Sequence, residues 1–80
     1  MAKYIIFIND DEQLMPIVFS EDEIHRDIAN RIKESVVSAG FCRINSSGEY
    51  ECFGESVSLG ASSQDIDSYI LTYKLQHESQ

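Results

Sequence analysis

The stretch from Lys3 to Ile24, KYIIFINDDEQLMPIVFSEDEI, decides the fold. Lys3 to Ile8 is β-branched and aromatic and runs into Asn9-Asp10-Asp11-Glu12, a tract of turn-forming side chains, so a strand is followed by a turn. Leu14 to Phe19 reads as a second strand, and the short connection makes an antiparallel hairpin the natural pairing. Pro16 cannot donate to a ladder, which puts its strand at an edge or turns the missing N–H away from the pairing. Ser20-Glu21-Asp22-Glu23 then has the form of a capping box, with Ser20 capping the first amides and Glu23 reaching back, and predicts a helix starting there.

Moving outward from this stretch, Ile24, Ile28 and Ile32 recur at spacing four and give the helix one apolar stripe. Asp22 with Arg26 and Asp27 with Arg31 are acid-before-base pairs at i, i+4 on its outer side, where His25 reads as a surface histidine. Val36 to Ile44 has strand composition, and Asn45-Ser46-Ser47-Gly48 reverses the chain. Glu49 to Leu59 resumes with period two, Tyr50 and Cys52 on one side and Glu51, Phe53 and Val57 on the other. After Gly60, Ser62 and Ser63 are positioned to cap a last helix with Ile66, Tyr69, Ile70 and Tyr73 as its apolar face. The order ββαββα predicts an α+β fold: a four-stranded, mainly antiparallel sheet with two helices on one face.

Eighty residues support one core, so residues 1–76 are expected to form a single domain and residues 77–80 a frayed tail. The formal charge of −8 argues against direct binding to nucleic acid or anionic lipid, both of which present phosphates. An acidic surface suits a basic protein partner, or simply solubility. The apolar runs Tyr4 to Ile8 and Met15 to Phe19 are too short to span a bilayer, and Met1-Ala2-Lys3 does not open a signal peptide, so a cytoplasmic location is expected. In that setting Cys42 and Cys52 read as core thiols; facing each other across a hairpin, they could bridge under oxidising conditions.

Two features point to association. Ile5 and Phe7 on one strand, with Met15, Ile17 and Phe19 on the next, add a second apolar face to a sheet whose helices are expected to cover the first. A homodimer or partner interface would bury it; loops and the C-terminal tail covering it within the monomer is the alternative. Asp10, Asp11, Glu12, Glu21, Asp22 and Glu23 are six acids between Asn9 and Glu23 with no base among them. They form one negative patch for a partner if the hairpin turn and the helix start lie close, although the helix macrodipole accounts for three of them.

Candidate chemistry is thin. Gly54-Glu55-Ser56-Val57-Ser58 approaches a nucleophile elbow, but serine stands where the closing glycine should be. Gly54 to Gly60 has one residue too many for a P-loop and lacks its lysine. His25, Cys42, Cys52 and Glu21 are a reasonable zinc set without the paired ligand spacing of small zinc domains. Glu49, Glu51 and Glu55 imply no cleft and read as a solvated edge. No catalytic, cofactor-binding or metal-ligating residue is assigned.

Val36-Val37-Ser38-Ala39-Gly40-Phe41-Cys42, followed by Cys52-Phe53-Gly54-Glu55-Ser56-Val57-Ser58-Leu59-Gly60, resembles a pattern in small uncharacterised proteins of bacteriophages and prophages. The resemblance covers about a third of the chain. It implies an accessory protein acting in a bacterial cytoplasm on a host factor, and it transfers no site residue. The expectation is a non-enzymatic protein-binding or regulatory module; the alternative is a self-associating structural component of a larger assembly.

Overall fold

A computed structural model describes residues 1–78. Four strands, β1 (Ala2–Ile8), β2 (Leu14–Ser20), β3 (Ser35–Ile44) and β4 (Tyr50–Phe53), form one antiparallel sheet in the order β2-β1-β3-β4. Helix α1 (His25–Ile32) joins β2 to β3. Two short strands, β5 (Glu55–Ser56) and β6 (Ala61–Ser62), pair separately before helix α2 (Asp67–Glu78). The fold is α+β with the expected four antiparallel strands, and β5–β6 is an addition to the expected order.

Both main hairpins turn on an asparagine. Asn9 Oδ1 accepts the Asp11 and Gln13 amides at 2.9 Å each, with Glu12 at φ 62°. Asn45 Oδ1 accepts the Ser47 and Glu49 amides at 2.9 and 3.0 Å, with Gly48 at φ 81°. The same five-residue turn thus reverses the chain twice, and side-chain bonds to the local backbone explain why asparagine starts each.

Register places each side chain. The Asn9 amide donates to the Gln13 carbonyl, so Ile6 and Pro16, directly opposite, form a non-hydrogen-bonded pair. The nitrogen of Pro16 therefore points away from β1 to the sheet edge, where no donor is needed. At the other edge, the outward amides of β4 are met by α2. Tyr50 N–H donates to Thr72 Oγ1 and Cys52 N–H to Ser68 Oγ, both at 2.9 Å, while Gln76 Nε2 donates to the Gly48 carbonyl. Spacing four along the helix puts Ser68, Thr72 and Gln76 in one stripe against that edge.

The two helices lie on opposite faces of the sheet, which corrects the expectation of both on one face. Successive residues of a strand point to opposite faces. Tyr4 donates to Asp67 of α2, and Tyr4, Ile6, Cys42, Ile70 and Leu71 form the core on that side. Phe19 and Phe41, both paired with Lys3 in register, belong to the other face, where they pack against His25 of α1. Tyr4, Ile5 and Ile6 are consequently all fully buried. The apolar surplus that pointed to a dimer is taken up within the chain: Ile5 is 0% exposed, and Phe7, Met15, Ile17 and Phe19 are half-buried.

Three local expectations also change. Ser20 is the last residue of β2, and its Oγ accepts the Asp22 amide in a turn instead of capping a helix; α1 begins at His25 with Ile24 as an N-cap that makes no side-chain bond. Gly54, at φ 78°, breaks the expected Glu49 to Leu59 strand after Phe53. The buried apolar residues of α2 are Ile70 and Leu71 with Leu75 packed beside them, whereas Tyr69, Tyr73 and the preceding Ile66 are exposed. The helix runs to Glu78, two residues into the expected tail, and residues 79 and 80 lie outside the described residues.

Ser38 is fully buried on β3, and its hydroxyl has no hydrogen-bond partner among the described residues. An unpaired buried hydroxyl opposes folding. Ser38→Ala should therefore stabilise the protein by about 1 kcal/mol, read as a higher urea midpoint at unchanged slope.

Candidate partner groove

One row of side chains crosses all four strands on the α1 face. Phe19 on β2 stands opposite Lys3 on β1, Lys3 opposite Phe41 on β3, and Phe41 opposite Phe53 on β4. The Phe41 and Phe53 rings stack with centroids 6.2 Å apart, and the Arg43 guanidinium lies 5.2 Å from the Phe53 centroid. His25 completes the row from above. Its ring meets Phe19 edge-on at 5.4 Å and Phe41 at 6.0 Å.

His25 is a core residue, 4% exposed, and not the surface histidine that its charged neighbours imply. Its Nε2 lies 2.8 Å from the Gly40 carbonyl, so that nitrogen carries the proton and donates. Burial holds its pKa below the usual histidine value, opposed by the Gly40 carbonyl and assisted by the charge of Lys3. The folded protein therefore binds fewer protons than the unfolded chain once pH falls below about 6.5. Stability should be flat from pH 8 to 7 and fall as pH drops from 6.5 towards the lower folded value, a window above ordinary carboxylate titration. His25→Gln, which retains a donor, should flatten that slope in urea denaturation series at successive pH values.

The middle of the row, Lys3 and Phe41 with His25, opens into a groove of about 540 Å³ between the start of α1 and the β5–β6 hairpin. Lys3, Ile24, His25 and Phe41 line one part and Gly54 to Ser58 the other. Ile24 is 53% exposed and Val57 86% exposed. The walls are tied together: Arg26 donates to the Ser58 carbonyl through Nε at 3.1 Å and Nη2 at 2.6 Å, and Lys3 Nζ donates to the Glu23 carbonyl at 2.6 Å. Lys3 and Arg26 are thereby occupied by main-chain carbonyls and Arg43 by Glu51 at 2.9 Å, while Glu21, Asp22 and Glu23 stand exposed immediately before Ile24 and Glu55 lines the groove.

The six acids singled out from sequence do not form one patch. Asp10, Asp11 and Glu12 lie in the β1–β2 turn, and Glu21, Asp22 and Glu23 follow the opposite end of β2. Seven strand residues separate the groups by roughly 20 Å. The second group adjoins the groove; the first does not.

The zinc set is divided by the sheet, with His25 on the α1 face and Cys42 and Cys52 on the other, and no group of three metal-ligating side chains occurs among the described residues. Ser56, buried, and Ser58 face each other with their hydroxyl oxygens 3.4 Å apart. Sequence reasoning missed Phe41, Val57 and the role of His25. The available signal was the aromatic at the matching position of β2, β3 and β4, readable once register is known. No helix among the described residues is long and apolar enough to cross a membrane. No family model, curated protein or solved structure matches the chain.

Proposed function

We propose that the protein is a non-enzymatic protein-binding or regulatory module whose groove takes an apolar side chain from a basic segment of a partner protein. The observation that carries this reading is the pair of exposed aliphatic side chains, Ile24 and Val57, on a groove with an aromatic floor and an acidic shoulder. Apolar anchors in such a groove supply affinity, and the acids at 21–23 favour lysine and arginine beside the anchor. A phage or prophage accessory protein that engages a host factor in a bacterial cytoplasm is the setting this reading proposes, on the residue pattern at 36–60. The self-associating alternative loses its main support, because α1 lies over the face that motivated it.

The test is amide chemical-shift mapping with a short synthetic peptide alternating lysine and leucine. Shifts should concentrate at Ile24, Phe41 and Val57, weaken with salt, and the Ile24→Ser/Val57→Ser variant should lose roughly tenfold in affinity. An alternating glutamate and leucine peptide binding equally well, or shifts centred on Asp10 to Glu12, would refute the proposal. A dimer in light scattering with the groove at its interface would instead identify a second copy as the occupant.

A further inference from the structure

Cys42 and Cys52 stand directly opposite each other on β3 and β4, on the α2 face. Their pairing type follows from the hydrogen bonds around them. Cys52 N–H goes to Ser68 and Tyr50 N–H to Thr72, both outward, while Asn45 N–H donates across the hairpin to the Glu49 carbonyl. Positions 42 and 52 are therefore a non-hydrogen-bonded pair, the arrangement in which facing Cα atoms come closest, about 4.5 Å, and side chains on the same face meet. That separation lies within the range a disulfide spans.

Both are free thiols. Cys42 is fully buried, and Cys52 is half-buried beside the first turn of α2. Burial pushes Cys42 up to about 11 and Cys52 up to about 12, the nearby Cys42 adding to the rise at Cys52. Protonated thiols resist indiscriminate attack, so a reaction here depends on the geometry of the pair.

We propose that Cys42 and Cys52 are a redox modification site, closed to an intramolecular cross-strand disulfide by a small disulfide oxidant of the glutathione class. Cys52, the more accessible, loses its proton and attacks one sulfur of the oxidant; the oxidant's S–S bond breaks and one glutathione leaves as thiolate. Cys42, deprotonated in turn, attacks Cys52 Sγ and expels the second glutathione. Two cysteine thiols give up two electrons, the oxidant becomes two glutathione thiols, and the two protons released are taken up by the departing thiolates. The bond draws Cys52 Sγ towards β3, away from the first turn of α2.

The full chain, reduced, is equilibrated at mildly alkaline pH across a series of oxidised-to-reduced glutathione ratios, quenched in acid, alkylated and weighed intact. The expected product is a monomer lighter by two hydrogens that takes up no alkyl group. Half-conversion should come at a ratio roughly tenfold less oxidising in buffer than in strong urea, because the sheet holds the sulfurs together and the unfolded chain does not. Cys42→Ser should stop at one glutathione adduct. A lasting glutathione adduct on the unsubstituted chain, a covalent dimer, two alkyl groups in the most oxidising buffer, or an equal midpoint in urea would each overturn the assignment.

Discussion

Asp67→Ala should lower the stability of the protein by about 3 kcal/mol, which for a domain of this size is a shift in Tm of more than about 12 °C. Tyr4 is fully buried in the centre of the sheet, and its hydroxyl donates to Asp67 Oδ2 at 2.5 Å. Burial and that bond push the Tyr4 pKa well above the ordinary tyrosine value, so the phenol remains a donor through the accessible pH range. The same carboxylate oxygen accepts the Gln64 amide at 2.9 Å, reaching back over the entry to α2 as the acid of a capping box does. Alanine leaves the phenol hydroxyl with only the weak Cys52 thiol beside it inside the core, about 1–3 kcal/mol, and removes a helix cap, about 1 kcal/mol. Tyr4→Phe should cost a similar amount by leaving a carboxylate that is 1% exposed with one donor fewer. The Tyr4→Phe/Asp67→Ala double variant should cost clearly less than the two singles together, since neither group is then stranded. Additive costs would show that the bond does not couple the two residues.

Gly40→Ala should be about as damaging, for a steric reason. A Cβ at Gly40 would lie 2.5 Å from the Phe53 carbonyl oxygen and 3.3 Å from that of Gly54. Both are backbone atoms, so no rotamer change relieves the clash and the end of β4 has to move. That end also carries Phe53 of the transverse row, and the Gly40 carbonyl holds His25, so displacement spreads to the groove floor. Overpacking against fixed backbone costs about 1–3 kcal/mol, and a value near the top of that range is expected here. Gly54→Ala meets a side chain instead, Phe41 at 3.1 Å, and adds the left-handed backbone penalty of about 1–2 kcal/mol. Urea titrations of the two variants should give lower midpoints with unchanged slopes, and a loss below about 1 kcal/mol for Gly40→Ala would contradict the close approach.

The hairpins were legible because their signals are local. Asn9 and Asn45 organise turns through their own side chains, and the apolar runs on either side pair by proximity. The side of the sheet on which each helix lies was not legible, because a period of two gives every strand two faces without saying which helix covers either. Ser20 illustrates a competition between local signals: the capping-box pattern is present, but pairing with Ala2 draws Ser20 into β2 and leaves its hydroxyl to a turn. His25 reads as surface from its charged neighbours, yet it enters the core because α1 starts four residues later than the pattern indicates, with Ile24 left outside as N-cap and His25 joining Ile28, Ala29 and Ile32 on the inward face. Tyr69 and Tyr73 satisfy helical spacing and are nonetheless exposed, stacked on each other at 5.8 Å, since the inward face of α2 is fixed by the bonds of Ser68 and Thr72 to β4. The groove required strand register, a long-range property that no window of sequence contains.

The stripe of Ser68, Thr72 and Gln76 carries a consequence for the order of events on the ribosome. β4 is complete at Phe53, but its outward amides acquire partners only when residues 68 to 72 have emerged, so the growing chain presents an open strand edge for the time taken to add that length. Unpaired edges recruit other chains, and synthesis at about 5–20 residues per second makes this an interval of seconds at most. A chain cut short after residue 66, which keeps every strand but lacks α2, should therefore aggregate more readily than the full chain, read by light scattering at equal concentration.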